Sequence, residues 1–189
     1  PLHLQLDTFC LNYNLSPVLQ DNLILFQPLK KLSAGNSLGK GLLSSYLKHL
    51  IHNAGDKSGA TYLFTLDESF YFPALKNREA QARLLMWARY FNSGMQKPLP
   101  FFNPFFSQIL NLDRENESKL YEKWRTYCQE QDKQEGKGLA ETFLFASILE
   151  NIDENESFNA MKTLFYDLLS PLQEGQSYYL LHKDSKEER

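Results

Sequence analysis

The spacing of hydrophobic residues changes along this chain, and that change limits the folds it can adopt. Leu2–Phe9 alternates apolar and polar residues, which predicts a strand with one buried face. Asn22–Leu32 begins as an apolar strand, and Pro28 places its second half at a sheet edge or a bulge. Gly41–Ala54 instead repeats apolar residues every three or four positions, which predicts an amphipathic helix. This part of the chain therefore mixes strands with a helix.

Two aromatic stretches follow this helix and predict a β-hairpin. Ala60–Leu66 and Ser69–Leu75 are rich in aromatic and β-branched residues, and only Asp67 and Glu68 separate them. An Asp-Glu pair is poor chemistry for a two-residue turn, so a short turn and a longer loop both stay open. Both faces of the hairpin carry apolar residues, which suits the interior of a sheet or a surface that a partner covers.

Helical spacing dominates the rest of the chain. Asn77 is expected to cap a helix and Gly94 to end it, and Pro171 ends the last helix. The predicted helices are Arg78–Ser93, Glu117–Gln131, Leu139–Leu149 and one whose apolar stripe runs from Phe158 to Leu169, with a last strand at Ser177–Leu181. This order of elements predicts an α/β or α+β fold in which helices flank a small mixed β-sheet.

Length and composition predict one domain. The chain has 189 residues, of which 42% are hydrophobic, enough to bury a sizeable core. We expect this domain to span residues 1–181 and the charged residues 182–189 to form a frayed tail. Because the chain begins with Pro1 rather than methionine, we expect it to be a segment of a longer protein.

The cellular setting follows from two simple features. No apolar run approaches the roughly 20 residues that are needed to cross a bilayer, so we expect no membrane association. Cys10 and Cys128 fit neither a zinc pattern nor a disulfide framework, which favours a reducing compartment such as the cytoplasm.

Clusters of aromatic residues are the candidate binding sites. The net charge of −3 gives no electrostatic reason for general nucleic-acid binding, and Lys97 is the only cation in or beside the clusters. Core packing or contact with a protein partner is therefore the favoured interpretation. The candidate partner-interface residues are Tyr62, Phe64, Phe70 and Phe72 in the hairpin and Phe101, Phe102, Phe105 and Phe106 in the Pro/Phe-rich segment Met95–Phe106.

Motifs for catalysis or cofactor binding are weak. His49 and His52 lie three apart on a predicted helix, but no acid or cysteine stands at ligand spacing beside them, so packed or half-exposed histidines are favoured. Gly35–Lys40 is one residue short of a phosphate-binding loop, and no G-x-S-x-G is present. The Glu/Asp-x-Lys triplets of a metal-dependent nuclease occur only in polar helix or loop stretches. These triplets are Glu117-Ser-Lys119, Glu135-Gly-Lys137 and Asp184-Ser-Lys186. We therefore expect no catalytic residue, no metal and no cofactor.

Two stretches taken together resemble one known family. GKGLLSSYLKHLIHNAG covers Gly39–Gly55, and REAQARLLMWARYFNSGMQKPLPFF covers Arg78–Phe102. They resemble the C-terminal region of RecC, the gamma chain of the RecBCD helicase–nuclease (exodeoxyribonuclease V). In that family a helix precedes a strand pair, and a second helix runs into a glycine and a Pro-Leu-Pro stretch. The corresponding residues of the second stretch here are Ala80, Leu84, Leu85, Gly94, Pro98, Leu99 and Pro100. The resemblance spans about Leu25 to Gln173.

The resemblance implies both a fold and a role. The C-terminal domain of the family has a restriction-endonuclease-like (PD-(D/E)xK-type) fold that has lost its catalytic residues, so no catalytic residue carries over. The complex unwinds and degrades double-strand DNA ends and supports repair and recombination. For this chain the resemblance implies a non-catalytic scaffold that docks RecD-like and RecB-like subunits and helps to guide DNA through the assembled complex.

Two functions of other classes stay open. A still-active metal-dependent nuclease of the same fold would bring Asp67 or Glu68, a further carboxylate and a lysine together in one cleft. A free-standing α/β domain for a small ligand would show an apolar pocket with a few convergent polar groups.

Overall fold

A computed structural model of the chain describes residues 2–14, 17–27, 40–65, 69–97, 99–100, 105, 117–132, 154–169 and 171–172. The described strands are β1 (Leu2–Leu6), β2 (Phe9–Tyr13), β3 (Val18–Leu19), β4 (Asn22–Phe26), β5 (Thr61–Phe64) and β6 (Ser69–Phe72). The described helices are α1 (Lys40–Asn53), α2 (Asn77–Gln96), α3 (Glu117–Asp132) and α4 (Glu154–Leu164), which continues into a π-helical segment, Phe165–Leu169.

The first hairpin divides a stretch that the sequence predicts as one strand. β1 and β2 pair antiparallel, and the pairing ends at Leu6 and Phe9. The chain reverses at Asp7, whose φ of 54° is a backbone conformation that Asp adopts more readily than most residues. Leu4 and Leu6 are buried, as the alternation of Leu2–Phe9 predicts.

The second sheet has the strand order β3-β4-β5-β6. β4 and β5 are parallel, with α1 between them in the chain, and the outer pairs are antiparallel. The β5–β6 pairing ends at Phe64 and Ser69, so a loop longer than two residues connects these strands. A small mixed sheet with helices confirms the predicted fold class.

Both ends of α2 differ from the prediction. The helix begins at Asn77, which does not cap it; the Asn77 amide instead donates to the carbonyl oxygens of Ala54 and Gly55 at 2.9 and 2.7 Å. Carbonyls at the end of a helix lack partners within the helix, so the end of α1 attracts this donor. Gly94 does not end α2, which continues to Gln96. Lys97 is extended because it precedes Pro98, and a residue before proline is disfavoured in a helix.

One hydrophobic core joins the two sheets to the helices. It contains residues of β1, β4, β5 and β6, of every described helix and of the π-helical segment. Its largest fully buried side chains are Trp124, Tyr46, Phe72, Phe105 and Phe165. The predicted helix Leu139–Leu149 and strand Ser177–Leu181 lie outside the described residues.

Candidate partner-docking surface

The four-stranded sheet has two apolar faces, and α1 covers only one of them. Leu23 and Leu25 of β4, Leu63 of β5 and Phe70 and Phe72 of β6 lie on the covered face and are buried. The apolar side of α1 packs on this face, and the Tyr46 ring lies 5.7 Å from that of Phe72. Because side chains alternate along a strand, the residues between these point to the opposite face.

The opposite face is aromatic and partly open to solvent. The backbone register places Phe26 beside Phe64 and Tyr62 beside Tyr71. Phe26 is 71% exposed and Phe64 is 39% exposed, and their rings stack with centroids 5.6 Å apart. The rings of Tyr62 and Tyr71 are 5.2 Å apart. The register gives this surface, called here the aromatic face, the residues Leu19, Asn22, Ile24, Phe26, Tyr62, Phe64, Ser69 and Tyr71.

The aromatic face carries no charged residue. None of its eight residues is an acid, a lysine, an arginine or a histidine, although 23% of the whole chain is charged. Surfaces that stack on nucleic-acid bases combine aromatic rings with cations that follow the phosphates. A neutral aromatic surface instead suits the buried centre of a protein interface, where charged residues are depleted and aromatic residues enriched.

A buried polar network holds α1 against the sheet. The His49 ring is fully buried, and its Nδ1 accepts a hydrogen bond from Thr61 Oγ1 at 2.8 Å, while Asn53 Nδ2 lies 3.2 Å from the same nitrogen. Burial, together with the nearby His52 and Arg83, lowers the pKa of His49 from 6.5 to about 3. His49 is therefore a neutral, packed histidine, as the sequence interpretation favours.

Asn53 is the centre of this network and was missed by sequence reasoning. Its Oδ1 accepts from the backbone N–H groups of Gly59 and Leu75 at 3.1 and 3.0 Å. Its Nδ2 donates to the carbonyl oxygens of His49 and Gly59 at 2.9 and 3.0 Å. The buried Asn53 side chain thus joins α1 to the segment that precedes β5 and to the segment that follows β6. A single polar residue at the end of a predicted helix gives no signal for such long-range bonds.

A second set of contacts fixes the β3–β4 turn beside α1. His52 Nε2 donates to the Asp21 carbonyl oxygen at 2.7 Å, and Lys57 pairs with the Asp21 carboxylate at 2.9 Å. A Cβ on Gly59 would lie 1.7 Å from that same carbonyl oxygen, so only glycine fits there. These contacts set the position of β4, and with it the position of Phe26.

Half of the predicted interface residues in the hairpin are core residues. Tyr62 and Phe64 lie on the aromatic face, whereas Phe70 and Phe72 are buried on the opposite face of the sheet. The sequence contained a signal for this division, because antiparallel pairing places Tyr62 and Phe64 on the face opposite to Phe70 and Phe72. Phe26 was missed as a candidate because β4 was interpreted only as an apolar strand.

The sequence predicts four interface residues in the Pro/Phe-rich segment, and the structure describes one of them. Phe105 is buried and belongs to the core, with its ring centroid 5.2 Å from that of Trp124 and 5.1 Å from that of Tyr127. This α3 contact removes Phe105 from the surface. Phe101, Phe102 and Phe106 lie outside the described residues.

A second apolar surface lies between α2 and the C-terminal helices. Phe91 is 72% exposed on α2, and Met95 is exposed one turn further on. They border a groove of about 380 Å³ that is also lined by Trp87, Tyr90, Gly94, Leu99, Leu164 and Leu168. Of the side chains that line it, only those of Trp87 and Tyr90 carry a polar atom, and the Tyr90 hydroxyl donates to Asp167 Oδ2 at 2.8 Å. The small-ligand alternative would show a few convergent polar groups in an apolar pocket, and this groove does not bring such a group together.

The described residues form neither a metal site nor a membrane-spanning helix. In that part of the chain, no three His, Cys, Asp or Glu side chains are grouped so that they could hold a metal ion. Asp67 and Glu68, one of which the active-nuclease alternative would use, lie outside it. No described helix has the length and apolar character that are needed to span a membrane.

Comparison with known proteins identifies one family. A family model described as the RecC C-terminal domain matches residues 1–108, more than half of the 189-residue chain. The matched residues include both stretches that carry the resemblance and every strand of the aromatic face, whereas residues 109–173 of the resemblance lie beyond them. No curated protein matches the chain. The chain belongs to the RecC C-terminal domain family.

Proposed function

We propose that this chain is a non-catalytic scaffold of a RecC-type subunit and that it docks partner subunits through the aromatic face. The RecC family belongs to the RecBCD (exodeoxyribonuclease V) complex, which acts in DNA repair and recombination. Within that complex the proposed partners are the RecD-like and RecB-like subunits, and DNA is guided through the assembled complex. The proposed location is the cytoplasm.

The observation that carries this proposal is the exposure of stacked, uncharged aromatic rings. Phe26 and Phe64 are held in place by the buried face of the same sheet, so a partner meets a surface that is already ordered. Burying one large apolar side chain contributes about 1.5–3 kcal/mol. Rigid aromatic side chains are also typical of the few residues that dominate the binding energy of an interface.

The proposal includes the extent of the domain. Residues 1–181 would form one restriction-endonuclease-like domain without catalytic residues, followed by a charged tail, residues 182–189. The shared hydrophobic core supports this extent, because it contains residues from Leu4 in β1 to Leu172 beyond the π-helical segment.

A capture experiment with matched variants tests the docking proposal. The chain would be immobilised and offered the RecD-like and RecB-like subunits from the same source. Phe26→Ser and Phe64→Ser would be combined in one variant, and Phe91→Ser would serve as control because Phe91 is as exposed as Phe26 but lies on α2. We expect the double variant to lose at least tenfold in affinity and the control to bind normally.

Two outcomes would contradict the proposal. Equal binding by the double variant and the unmodified chain would show that the aromatic face is not the docking surface. Cleavage of DNA with magnesium or manganese, abolished by Asp67→Ala, would show an active nuclease instead of a scaffold. Circular dichroism of each variant would establish that a loss of binding does not come from unfolding.

A further inference from the structure

The size of the aromatic face limits what can cover it. Its aromatic rings, together with Ile24 and Ser69, form two rows across β4, β5 and β6. These rows are Ile24–Tyr62–Tyr71 and Phe26–Phe64–Ser69. Neighbouring strands are about 4.8 Å apart, so three strands span about 10 Å, which is about the diameter of one α-helix. Rows two residues apart are separated by about 7 Å, which is between one and two helical turns.

We infer that the occupant of the aromatic face is a single amphipathic helix of a partner subunit, packed across β4, β5 and β6 as a third layer. This inference rests on the proposed docking function and adds the kind of structure that docks. A helix is the expected occupant because the aromatic rows on β4, β5 and β6 have the width of one helix, whereas a docking sheet would extend beyond them on both sides.

The strand pairing supports a helical third layer. β4 and β5 are parallel, and α1 already covers their other face through Tyr46, His49 and their neighbours. All-parallel sheets are ordinarily covered by helices on both faces, and β4 and β5 form the parallel pair at the centre of this mixed sheet. In the described part of the chain, Phe26 and Phe64 are left exposed where the second helical layer would lie.

The absence of charge on the face specifies the chemistry of the partner helix. An acidic side chain pressed against Phe26, Phe64 and Tyr62 would lose its water and meet the negative faces of the rings, which is costly. The complementary surface is therefore an apolar stripe without acidic residues, at positions i, i+3 or i+4, and i+7. Charged residues of that helix would lie on its outer side.

Photo-crosslinking in the assembled complex tests this inference. Phe64→p-benzoylphenylalanine would be introduced into the complete RecC-type chain, assembled with its RecB-like and RecD-like subunits and irradiated. We expect mass spectrometry to find the crosslink in a partner segment of two to three turns. Single aspartate substitutions would then be made along that segment. Those at positions that recur every three or four residues should weaken capture at least tenfold, and those at the positions between them should have little effect. Phe91→p-benzoylphenylalanine is the matched control and should not crosslink to that segment.

The possible results separate this inference from the proposed function. Sensitivity at every second partner position would indicate a docked strand and overturn the inference, and so would sensitivity without any period. A crosslink to this same chain, or to the exposed Phe91 and Met95 of a second copy, would also overturn it. Intact capture by the Phe26→Ser, Phe64→Ser variant would overturn the docking proposal itself, independently of any helical period.

Discussion

His49 shows how a single buried residue makes this fold sensitive to acid. Its ring centroid lies 6.2 Å from that of Tyr46 and 5.3 Å from that of Phe72, and the Thr61 hydroxyl bonds to Nδ1. Protonation would place a charge in the core and turn Nδ1 into a donor that faces the amide donor Asn53 Nδ2. Burial thus keeps the ring neutral, with the pKa lowered from 6.5 to about 3.

The lowered pKa of His49 predicts a loss of stability in mild acid. Between pH 6.5 and about 3 the unfolded chain binds a proton at His49 that the folded chain does not, so the free energy of unfolding falls as the pH falls. The loss from this group between pH 7 and pH 5 is about 2 kcal/mol. Urea unfolding of the unmodified chain and of His49→Gln over this range measures it. The variant should show a shallower pH dependence, whereas parallel curves would contradict the assignment.

Asn53 predicts a large effect from the loss of one amide. Asn53→Ala leaves the N–H groups of Gly59 and Leu75 without the oxygen that they bond, and each buried unsatisfied group costs about 1–3 kcal/mol. We expect a loss of about 3 kcal/mol in the free energy of unfolding. Asn92→Ala, on the exposed side of α2, is the control and should change stability by no more than about 0.5 kcal/mol. Equal effects of the two variants would disprove the role of the network.

At the scale of elements, α1 and α2 are positioned by polar groups at their ends. The carbonyl of Ala54, just past α1, accepts from Asn77 and Gln81 of α2 at 2.9 and 3.2 Å. Further along, the Arg83 guanidinium donates to the Tyr46 hydroxyl at 2.8 Å. These contacts join two helices whose sequences indicate only separate apolar stripes. They also explain why Asn77 bonds to α1 rather than capping its own helix.

Two glycines predict opposite responses to the same substitution. Gly59→Ala places a Cβ 1.7 Å from the Asp21 carbonyl oxygen, and backbone on both sides must move. We expect a loss of about 3 kcal/mol, since overpacking against rigid atoms costs about that much. Gly94→Ala meets only the flexible Leu99 side chain, at 3.3 Å, inside a helix that alanine favours by about 1 kcal/mol.

Thermal unfolding of the two glycine variants measures this difference. The Gly59→Ala midpoint should fall well below that of the unmodified chain, whereas Gly94→Ala should match or exceed it. A harmless Gly59→Ala would contradict the close contact between the β3–β4 turn and the chain before β5.

At the scale of the whole molecule, the family-matched part and the C-terminal helices share a core. Leu84 in α2, Trp124 in α3 and Phe165 in the π-helical segment all belong to it. The Tyr90–Asp167 hydrogen bond links α2 to that segment directly, and burial together with Asp167 raises the pKa of Tyr90 to about 12. A core that is shared in this way predicts cooperative unfolding.

The two tryptophans make this prediction measurable. Trp124→Phe leaves Trp87 as the fluorescent probe of α2, and Trp87→Phe leaves Trp124 as the probe of α3. Adding Tyr90→Phe to each single-tryptophan variant should lower its free energy of unfolding by about 1 kcal/mol, because the lost bond to Asp167 is partly exposed to water. The loss should be equal for the two probes. In each single-tryptophan variant, the urea midpoint from fluorescence should coincide with the midpoint from circular dichroism. Separate transitions would contradict the proposal of one domain.

Much of the local structure could be predicted from hydrophobic spacing. The helical stripes of α1, α2 and α3 and the strand character of β4, β5 and β6 appear where the sequence indicates them. Spacing succeeds there because each element must bury one side, whatever it packs against. The mixed fold class followed from the order of these elements, whereas the family resemblance rested on the residues of two stretches, Gly39–Gly55 and Arg78–Phe102.

The docking surface depended on contacts between distant parts of the chain. Alternation separates Tyr62 and Phe64 from Phe70 and Phe72, but all four are aromatic and composition cannot tell which pair is covered. The tertiary structure decided it when α1 packed on the Phe72 side and left Phe64 stacked on Phe26. The sequence alone thus determined which residues form strands and helices, because local periodicity reflects the need to bury one side. The choice of buried face needed the tertiary structure, because it depends on contacts between residues far apart in the chain.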